Sequence, residues 1–405
     1  MVYVLNKNTR PLMPCSSRKA RMLLAAGKAI VVKRTPFVIR LVHGSSGYVQ
    51  PVTLGVDSGF THIGLSAVTA TSEVYAADVE LRKDLVDLNS ERRMYRRNRR
   101  NRKTWYRQPR FDNRRKPEGW LAPSIQHKLD SHKKLITRVE SILPVSRVII
   151  EVAAFDIQKI KNPDVEGTEY QNGNQAGFWN VREYVLYRDG HRCQAPKCSG
   201  KDKVLNVHHI ESRKTGGNRP DNLITLCESC HDQHHKGLLK LVIKPSKGFK
   251  AETFMSMVRW RLVNETGAGH SYGYITKTNR IALGLSKSHV NDAYVIAGGS
   301  TQVRISPFMI KQVRKCNRKL FKGDRSHIRN TVPRFTKGFQ RYDKVAFRGQ
   351  ECFVFGRRSN GYFDIRLLDG TKIHASANVK QLKRLERANT FLIERGSTRT
   401  KRIAA

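Results

Sequence analysis

Acidic residues are scarce in this sequence. Against 76 Lys and Arg stand 33 Asp and Glu, a formal charge of +43 with histidine neutral. Self-repulsion of that size opposes compaction unless counterions or a polyanion screen it. It points to nucleic acid as the partner, with a ribosomal or membrane-surface role as the blander alternative. Long apolar runs are also missing. None approaches the roughly eighteen to twenty residues a spanning helix needs, so no membrane partner is expected. The opening MVYVLNKNTRPLMPCSS has no apolar stretch ending at a small-residue cleavage site, so it does not read as a secretion signal. Cysteine is sparse and odd in number: Cys15, Cys193, Cys198, Cys227, Cys230, Cys316 and Cys352. Four of them cluster, which argues against a disulfide framework and for metal binding in a reducing, cytoplasmic compartment. The length, 405 residues, suggests roughly two to four domains.

What is there concentrates between Cys193 and His235. CQAPKC and CESC each offer two sulfurs from one short loop, and together Cys193, Cys198, Cys227 and Cys230 suit a tetrahedral structural Zn2+ site. Such a site would staple a segment too polar to fold around an apolar core; four unliganded buried cysteines are the alternative. In VHHIESRKTGGNRPDNLITLCESCHDQHH, residues 207–235, His208 and His209 are adjacent and point to opposite faces of a strand. His231 and His235, four apart, share one face of a helix. His208, His231 and His235 can therefore form a second metal site with open positions. That leaves His209 as general base, a task suited to a neutral imidazole near pH 7. Asn222 can orient that base or the backbone around it, and His234 reads as an exposed neighbour.

This block resembles the HNH (ββα-metal) nucleases. The resemblance implies that His208, His231 and His235 hold a divalent ion, that His209 activates water, and that Asn222 is the central asparagine. Phosphodiester hydrolysis needs charge neutralisation and an aligned nucleophile, which such a set supplies.

Three acids elsewhere end apolar elements. VTLGVD predicts a buried strand ending at Asp57, with HIGLSAVT as its hairpin partner and SEVYAADVE as a third strand. RVIIE predicts a strand ending at Glu151, preceded by a helix with Ile125, Leu129, Ile136, Val139 and Leu143 on its apolar face. In SKSHVNDAYVIAGG, His289 and Asp292 share the first turn of a helix. Each acid taken alone could equally be a cap or a dipole partner. Together they suit a site assembled by folding, since carboxylates supply the hard oxygen ligands that Mg2+ prefers.

The order of these elements, with GVDSG, IIEV and SHVNDA as motifs, resembles the RNase H-like fold of RuvC nucleases. That resemblance makes Asp57, Glu151 and Asp292 Mg2+ ligands and gives His289 a role in water activation or metal binding. The family's first motif often has proline after the aspartate, where Ser58 stands here. Between the first two motifs, eight of the thirteen residues from Glu91 to Lys103 are basic: Arg92, Arg93, Arg96, Arg97, Arg99, Arg100, Arg102 and Lys103. A helix charged almost all round has no face to bury and calls for phosphate partners on several sides.

A split RuvC, an arginine-rich bridge helix and an inserted HNH, behind an amino end carrying Arg10–Pro14, resemble the transposon-encoded IscB family. The expected architecture is a multidomain α/β chain: a PLMP domain at 1–50, RuvC-I at 51–87, the bridge helix and linker at 88–118, and RuvC-II at 119–169. HNH with its zinc site follows at 170–246, then RuvC-III at 247–300 and a C-terminal basic, target-adjacent-motif domain at 301–405. In that last part short strands turn at Ser359–Gly361 and Asp369–Gly370. Arg348, Arg357 and Arg358, with Lys372 and Lys383, could contact phosphate or bases. The resemblance implies an RNA-guided, Mg2+-dependent DNA endonuclease, one chain per complex with a structured transposon-derived guide RNA. HNH would cut the guide-paired strand of a double-stranded target and RuvC the displaced one, in a prokaryotic cytoplasm at the nucleoid. The rivals are a guide-independent HNH or RuvC-type endonuclease and a non-enzymatic RNA-guided binder.

Overall fold

The computed structural model describes residues 1–44, 47, 49–103, 119–152, 181–196, 198, 204–210, 222–239, 250–314 and 333–396. The linker from 104 to 118, the stretch from 153 to 180, the loop from 211 to 221, the basic connection from 315 to 332 and the tail from 397 lie outside the described residues. So do the side chains of Arg99, Arg102 and Lys103. The chain divides into two compact units: Met1–Arg115, Ala122–Ala154 and Val258–Ala405 form the larger, and Lys116–Leu121 with Phe155–Met257 the smaller.

A seven-stranded mixed sheet organises the larger unit. Val52–Ser58, His62–Val68 and Glu73–Glu80 form an antiparallel meander. On its other side Val52–Ser58 runs parallel to Val145–Val152, which runs parallel to Gly269–Tyr272. Phe308–Gln312 adds parallel to Glu73–Glu80, and Phe391–Arg395 closes that edge antiparallel. The central strands are apolar because both their faces are covered: Val52, Leu54, Val56, Ile63 and Leu65 are wholly buried. The helix Pro123–Glu140 precedes the Glu151 strand. It begins with Pro123 at its first position, where the missing N–H costs nothing. It buries Ile125, Leu129, Leu135, Ile136 and Val139, each such side chain contributing about 1.5–3 kcal/mol.

The helix His289–Ile296 starts on Ser288, whose hydroxyl accepts the Asn291 N–H at 3.1 Å. It lies so close to the sheet that a methyl group at Gly64 would sit 1.8 Å from the His289 carbonyl oxygen, and one at Gly55 would sit 2.1 Å from that of Ala293. The two glycines are what let the backbone of this helix rest on the strands. Behind it, the wholly buried Glu73 accepts from Ser66 Oγ at 2.6 Å and from Arg304 Nε at 2.8 Å. Arg304 in turn donates to Asn291 Oδ1 at 3.2 Å and lies over the Tyr294 ring.

At the amino end, Val2–Leu5, Pro11–Cys15, Ala29–Lys33 and Val38–Leu41 form a four-stranded sheet against the helix Ser17–Ala25. Tyr3 ties it to the large sheet by donating to the Val74 carbonyl at 3.0 Å. The arginine-rich helix spans Leu85–Lys103, and Arg92, Arg93, Arg96, Arg97 and Arg100 are exposed on it. The stretch expected as one C-terminal domain from 301 divides between two sheets. Phe308–Gln312 and Phe391–Arg395 belong to the large one, while the strands between Lys344 and Glu386 form a separate five-stranded antiparallel sheet. Its core holds Val345, Phe347, Val354, Phe363 and Ile365.

In the smaller unit, Leu205–His209 and Leu223–Cys227 pair as an antiparallel hairpin, with His208 opposite Ile224 and His209 opposite Leu223. The helix Glu228–His235 follows directly. The helix Val181–Arg188 clamps the hairpin: Arg182 donates to the Leu205 carbonyl at 3.0 Å and Arg188 to that of Leu223 at 2.9 Å. Asp189 accepts the Thr225 N–H at 2.9 Å.

Gly64→Ala should cost about 1–3 kcal/mol through overpacking, read as a lower midpoint of thermal unfolding. An unchanged midpoint would contradict the close helix–sheet approach.

Candidate functional site

The hairpin and the helix behind it bring two clusters together. Ligand atoms of Cys193, Cys198, Cys227 and Cys230 all lie within 4.8 Å of one another. Cys227 ends the hairpin and caps the helix, and Cys230 sits in its first turn. Burial raises the Cys193 thiol. It raises Cys230 strongly, helped by the neighbouring Cys227 and Cys198 sulfurs. Burial also pushes Cys227 upward, but hydrogen bonds from the Cys230 N–H and the Ser229 hydroxyl outweigh it and leave that thiol low. Cys198 and Cys227 are 3.7 Å apart, far beyond the roughly 2.05 Å of a disulfide. Four sulfurs this close repel one another as thiolates, so the donor set fits a tetrahedral cation such as Zn2+. The same cysteines pack with Ala195, Ile224 and Leu226, so the cluster is also the small unit's core.

One turn further on, His231 and His235 meet His208 from the strand, again with ligand atoms within 4.8 Å. The Nε2 atoms of His231 and His235 are 3.3 Å apart. Burial, and then the rings of His234, His231 and His235, lower the His208 pKa to about 4. It is therefore neutral, the form that binds a metal. Among the described residues these three nitrogen donors form a set that could hold a metal ion. His209 leaves the same strand end. Asn222 is wholly buried, and its carbonyl accepts the Ile210 N–H at 2.8 Å. His234, read from the sequence as an exposed neighbour and not a ligand, stays outside the gathered ligand set but is half-buried. Its ring packs edge-on against His208 with centroids 4.7 Å apart, and its Nδ1 is 2.9 Å from the Leu239 carbonyl. It thus braces a ligand, and only its place next to His235 in the chain hinted at this.

The larger unit assembles the acids from three separate segments. Asp57, 6% exposed, ends its strand with Oδ2 2.6 Å from His289 Nδ1. That hydrogen bond, against the effect of burial, raises the His289 pKa. Glu151 is raised by burial and then by the charge of Asp57, with a hydrogen bond from Thr276 opposing both. Asp292 is raised by burial and then by Asp57. Each carboxylate thus feels Asp57, though the three are not gathered within 4.8 Å as the other clusters are. Carboxylate oxygens are hard donors of the kind divalent cations take. Arg280 Nε lies 2.8 Å from Asp292 Oδ1 without being aimed for a hydrogen bond, so it attracts as a charge only. His62 stacks flat on His289, with centroids 5.6 Å apart and planes at 3°. Neither His62, Thr276 nor Arg280 carries a local motif; only strand register and tertiary packing reveal them.

On the five-stranded sheet, Arg348 is exposed beside the Phe347 ring. The Arg357 guanidinium is engaged by the carbonyls of Arg334 and Pro333. Arg358 donates to Ser376 Oγ at 3.0 Å.

A multidomain α/β chain with an HNH-type region bearing four cysteines and a histidine cluster is what this geometry defines. Comparison with known families agrees: residues 2–173 match the family described as RRXRR protein, and residues 193–237 match HNH endonuclease. The chain therefore carries an RRXRR region and a separate HNH endonuclease domain, the general layout of IscB-like proteins. A stretch of 64 residues, 16% of this chain, is 33% identical to Anaredoxin of Nostoc sp. and covers 82% of that protein. Through that stretch the chain belongs to the family of this small relative. The HNH domain and its metal-binding clusters support nuclease activity, a hydrolytic chemistry.

Cys227→Ser should lower bound zinc by one equivalent per chain, measured by atomic emission, and loosen the small unit to protease. Unchanged zinc content would refute the four-cysteine site.

Proposed function

We propose that the chain is an RNA-guided DNA endonuclease of the IscB kind, with one hydrolytic centre in each unit. The observation that carries the reading is the convergence of Asp57, Glu151, His289 and Asp292 onto one region of the large sheet. The chain segments between them hold the arginine helix and the HNH domain. The meander followed by two parallel strands supports an RNase H-like, RuvC-type core split at those two points.

Chemically the two centres would work alike. A divalent ion held by Asp57, Glu151 and Asp292, or by His208, His231 and His235, supplies charge neutralisation at the phosphate and the leaving oxygen. His209 takes the proton of the attacking water in the smaller unit, with Asn222 fixing the strand end from which His209 projects. In the larger unit His289, held by Asp57, is placed to accept a proton, and its raised pKa suits it to keep one.

Two centres on separate units suit two separated strands better than one, so the HNH centre is assigned the guide-paired strand and the RuvC-like centre the displaced strand. Sequence choice then falls to base pairing, because cationic side chains that read phosphates carry no sequence information. Structured RNA would lie along Arg92, Arg93, Arg96, Arg97 and Arg100, where bidentate guanidinium–phosphate contacts offset the repulsion among the arginines. The five-stranded sheet, with Arg348 and Arg358 at its surface, is the proposed reader of a target-adjacent motif.

RNA copurified with the protein should prove structured, with a variable end that directs cleavage of matching DNA. His209→Ala should abolish cutting of the guide-paired strand and spare the other, and Asp57→Ala should do the reverse. Loss of both cuts with unchanged binding, or specific cutting by RNA-free protein, would overturn the scheme. Replacing Arg92, Arg96 and Arg100 together should lower the slope of log affinity against log salt by about 0.7–0.9 for each lost phosphate contact, the range from single-stranded to duplex segments. An unaltered slope would remove the arginine helix from the interface.

A further inference from the structure

We propose that Ser58 and Arg259 are positioning residues of the carboxylate centre, joining the two strand ends that carry Asp57 and Glu151. This rests on reading Asp57, Glu151 and Asp292 as one hydrolytic centre. The strands Val52–Ser58 and Val145–Val152 run side by side, but their register of partners ends at Val56 and Ile150. The next residue on each strand is an acid, and the two acids repel. Each stays paired on its far side, Asp57 with Gly64 and Glu151 with Ser271, but the direct pairing between the two strands no longer spans the gap between them.

Side chains provide the link. Ser58 Oγ donates to the Glu151 carbonyl at 3.0 Å, crossing from one strand end to the other. Arg259 then grips Ser58 from the helix Lys250–Thr266: its Nε donates to the Ser58 carbonyl at 2.9 Å and to Oγ at 3.1 Å, and its Nη2 donates to the carbonyl at 2.6 Å. Ser58 is wholly buried, so no water competes for these bonds. A planar guanidinium holding one residue through two nitrogens fixes direction as well as distance, which a lysine cannot do. The pair thus sets the spacing of the two strand ends that bear the carboxylates, with the hydrogen bonds of Arg259 going to Ser58.

The test uses the full chain with its guide RNA on DNA labelled separately on each strand, with Mg2+ varied. Arg259→Ala should slow displaced-strand cutting by about ten- to a hundredfold, the scale of misplacement by a fraction of an ångström to an ångström. It should also raise the half-saturating Mg2+ concentration and leave guide-paired cutting at the wild-type rate. Added guanidinium should restore part of the loss, which a general loosening of the fold would not allow. Arg259→Lys should fall between the two, and Ser58→Ala should shift the Mg2+ dependence in the same direction. An Arg259→Ala protein with unchanged displaced-strand rate and Mg2+ dependence would overturn the proposal, as would a loss on both strands that guanidinium does not relieve. Asp57→Ala in the same assay separates the two levels: if it still cuts the displaced strand, the reading of the centre has failed rather than the positioning alone.

Discussion

Like charges held close together are the constraint on which this molecule is built. Burial and then the charge of Asp57 raise the proton affinity of Glu151 and Asp292. Four thiols crowd one site, and arginines encircle one helix. None of these groupings lowers the free energy of an isolated chain, since each desolvates or concentrates charge of one sign. A charge of opposite sign would offset each cost: a cation at the sulfurs and, on the function proposed above, a divalent cation at the carboxylates and a polyanion along the guanidinium groups. On that reading folding and ligand binding are linked, because whatever binds the folded sites adds to their stability.

The scaffold meets that constraint by backbone contact and by buried polar braces. Gly55 and Gly64 give up side chains so that the helix bearing His289 and Asp292 can lie on the strands. Glu73, sealed in the core, holds Arg304, which holds Asn291 in the same helix. In the smaller unit sulfur shares the described core with aliphatic side chains. Cys227 and Cys230 pack with Ile224 and Leu226, and the histidines extend one turn beyond. Members of the cysteine cluster and of the histidine cluster share one eight-residue helix, so a change that loosens the first would reach the second.

Much of this was legible in the sequence because spacing carried it. C-x4-C, C-x2-C and a pair of histidines four apart place donors on short loops and one helix face, and the structure brings those donors together. The apolar face from Ile125 to Val139 is buried where its period placed it, while Leu143 is buried beyond the helix end at Glu140, and the strands around Asp57 and Glu151 fall on the expected segments. Contacts that need register or packing were not legible. His62 lies under His289 because two strands pair with a particular offset, and nothing in HIGLS announces that. Arg259 lies about two hundred residues from Ser58 in the chain, a link that periodicity cannot see. The carboxyl-terminal stretch was read as one domain because short alternating strands look alike whichever sheet they join.

That last division has a consequence for how the chain can be altered. Gln312 and Phe391 are direct partners in the antiparallel pair at the sheet's edge, and Val313 donates to the Thr390 carbonyl at 2.8 Å. The point where the chain leaves the large sheet and the point where it returns are thus neighbours, tied by main-chain bonds that no side chain supplies. The stretch between them is tied elsewhere as well: Lys344 Nζ donates to Thr35 Oγ1 at 3.1 Å and Arg34 pairs with Glu351 at 3.2 Å. A module exchanged at Val313 and Thr390 would keep the edge pairing but would have to replace those links to the amino-terminal region.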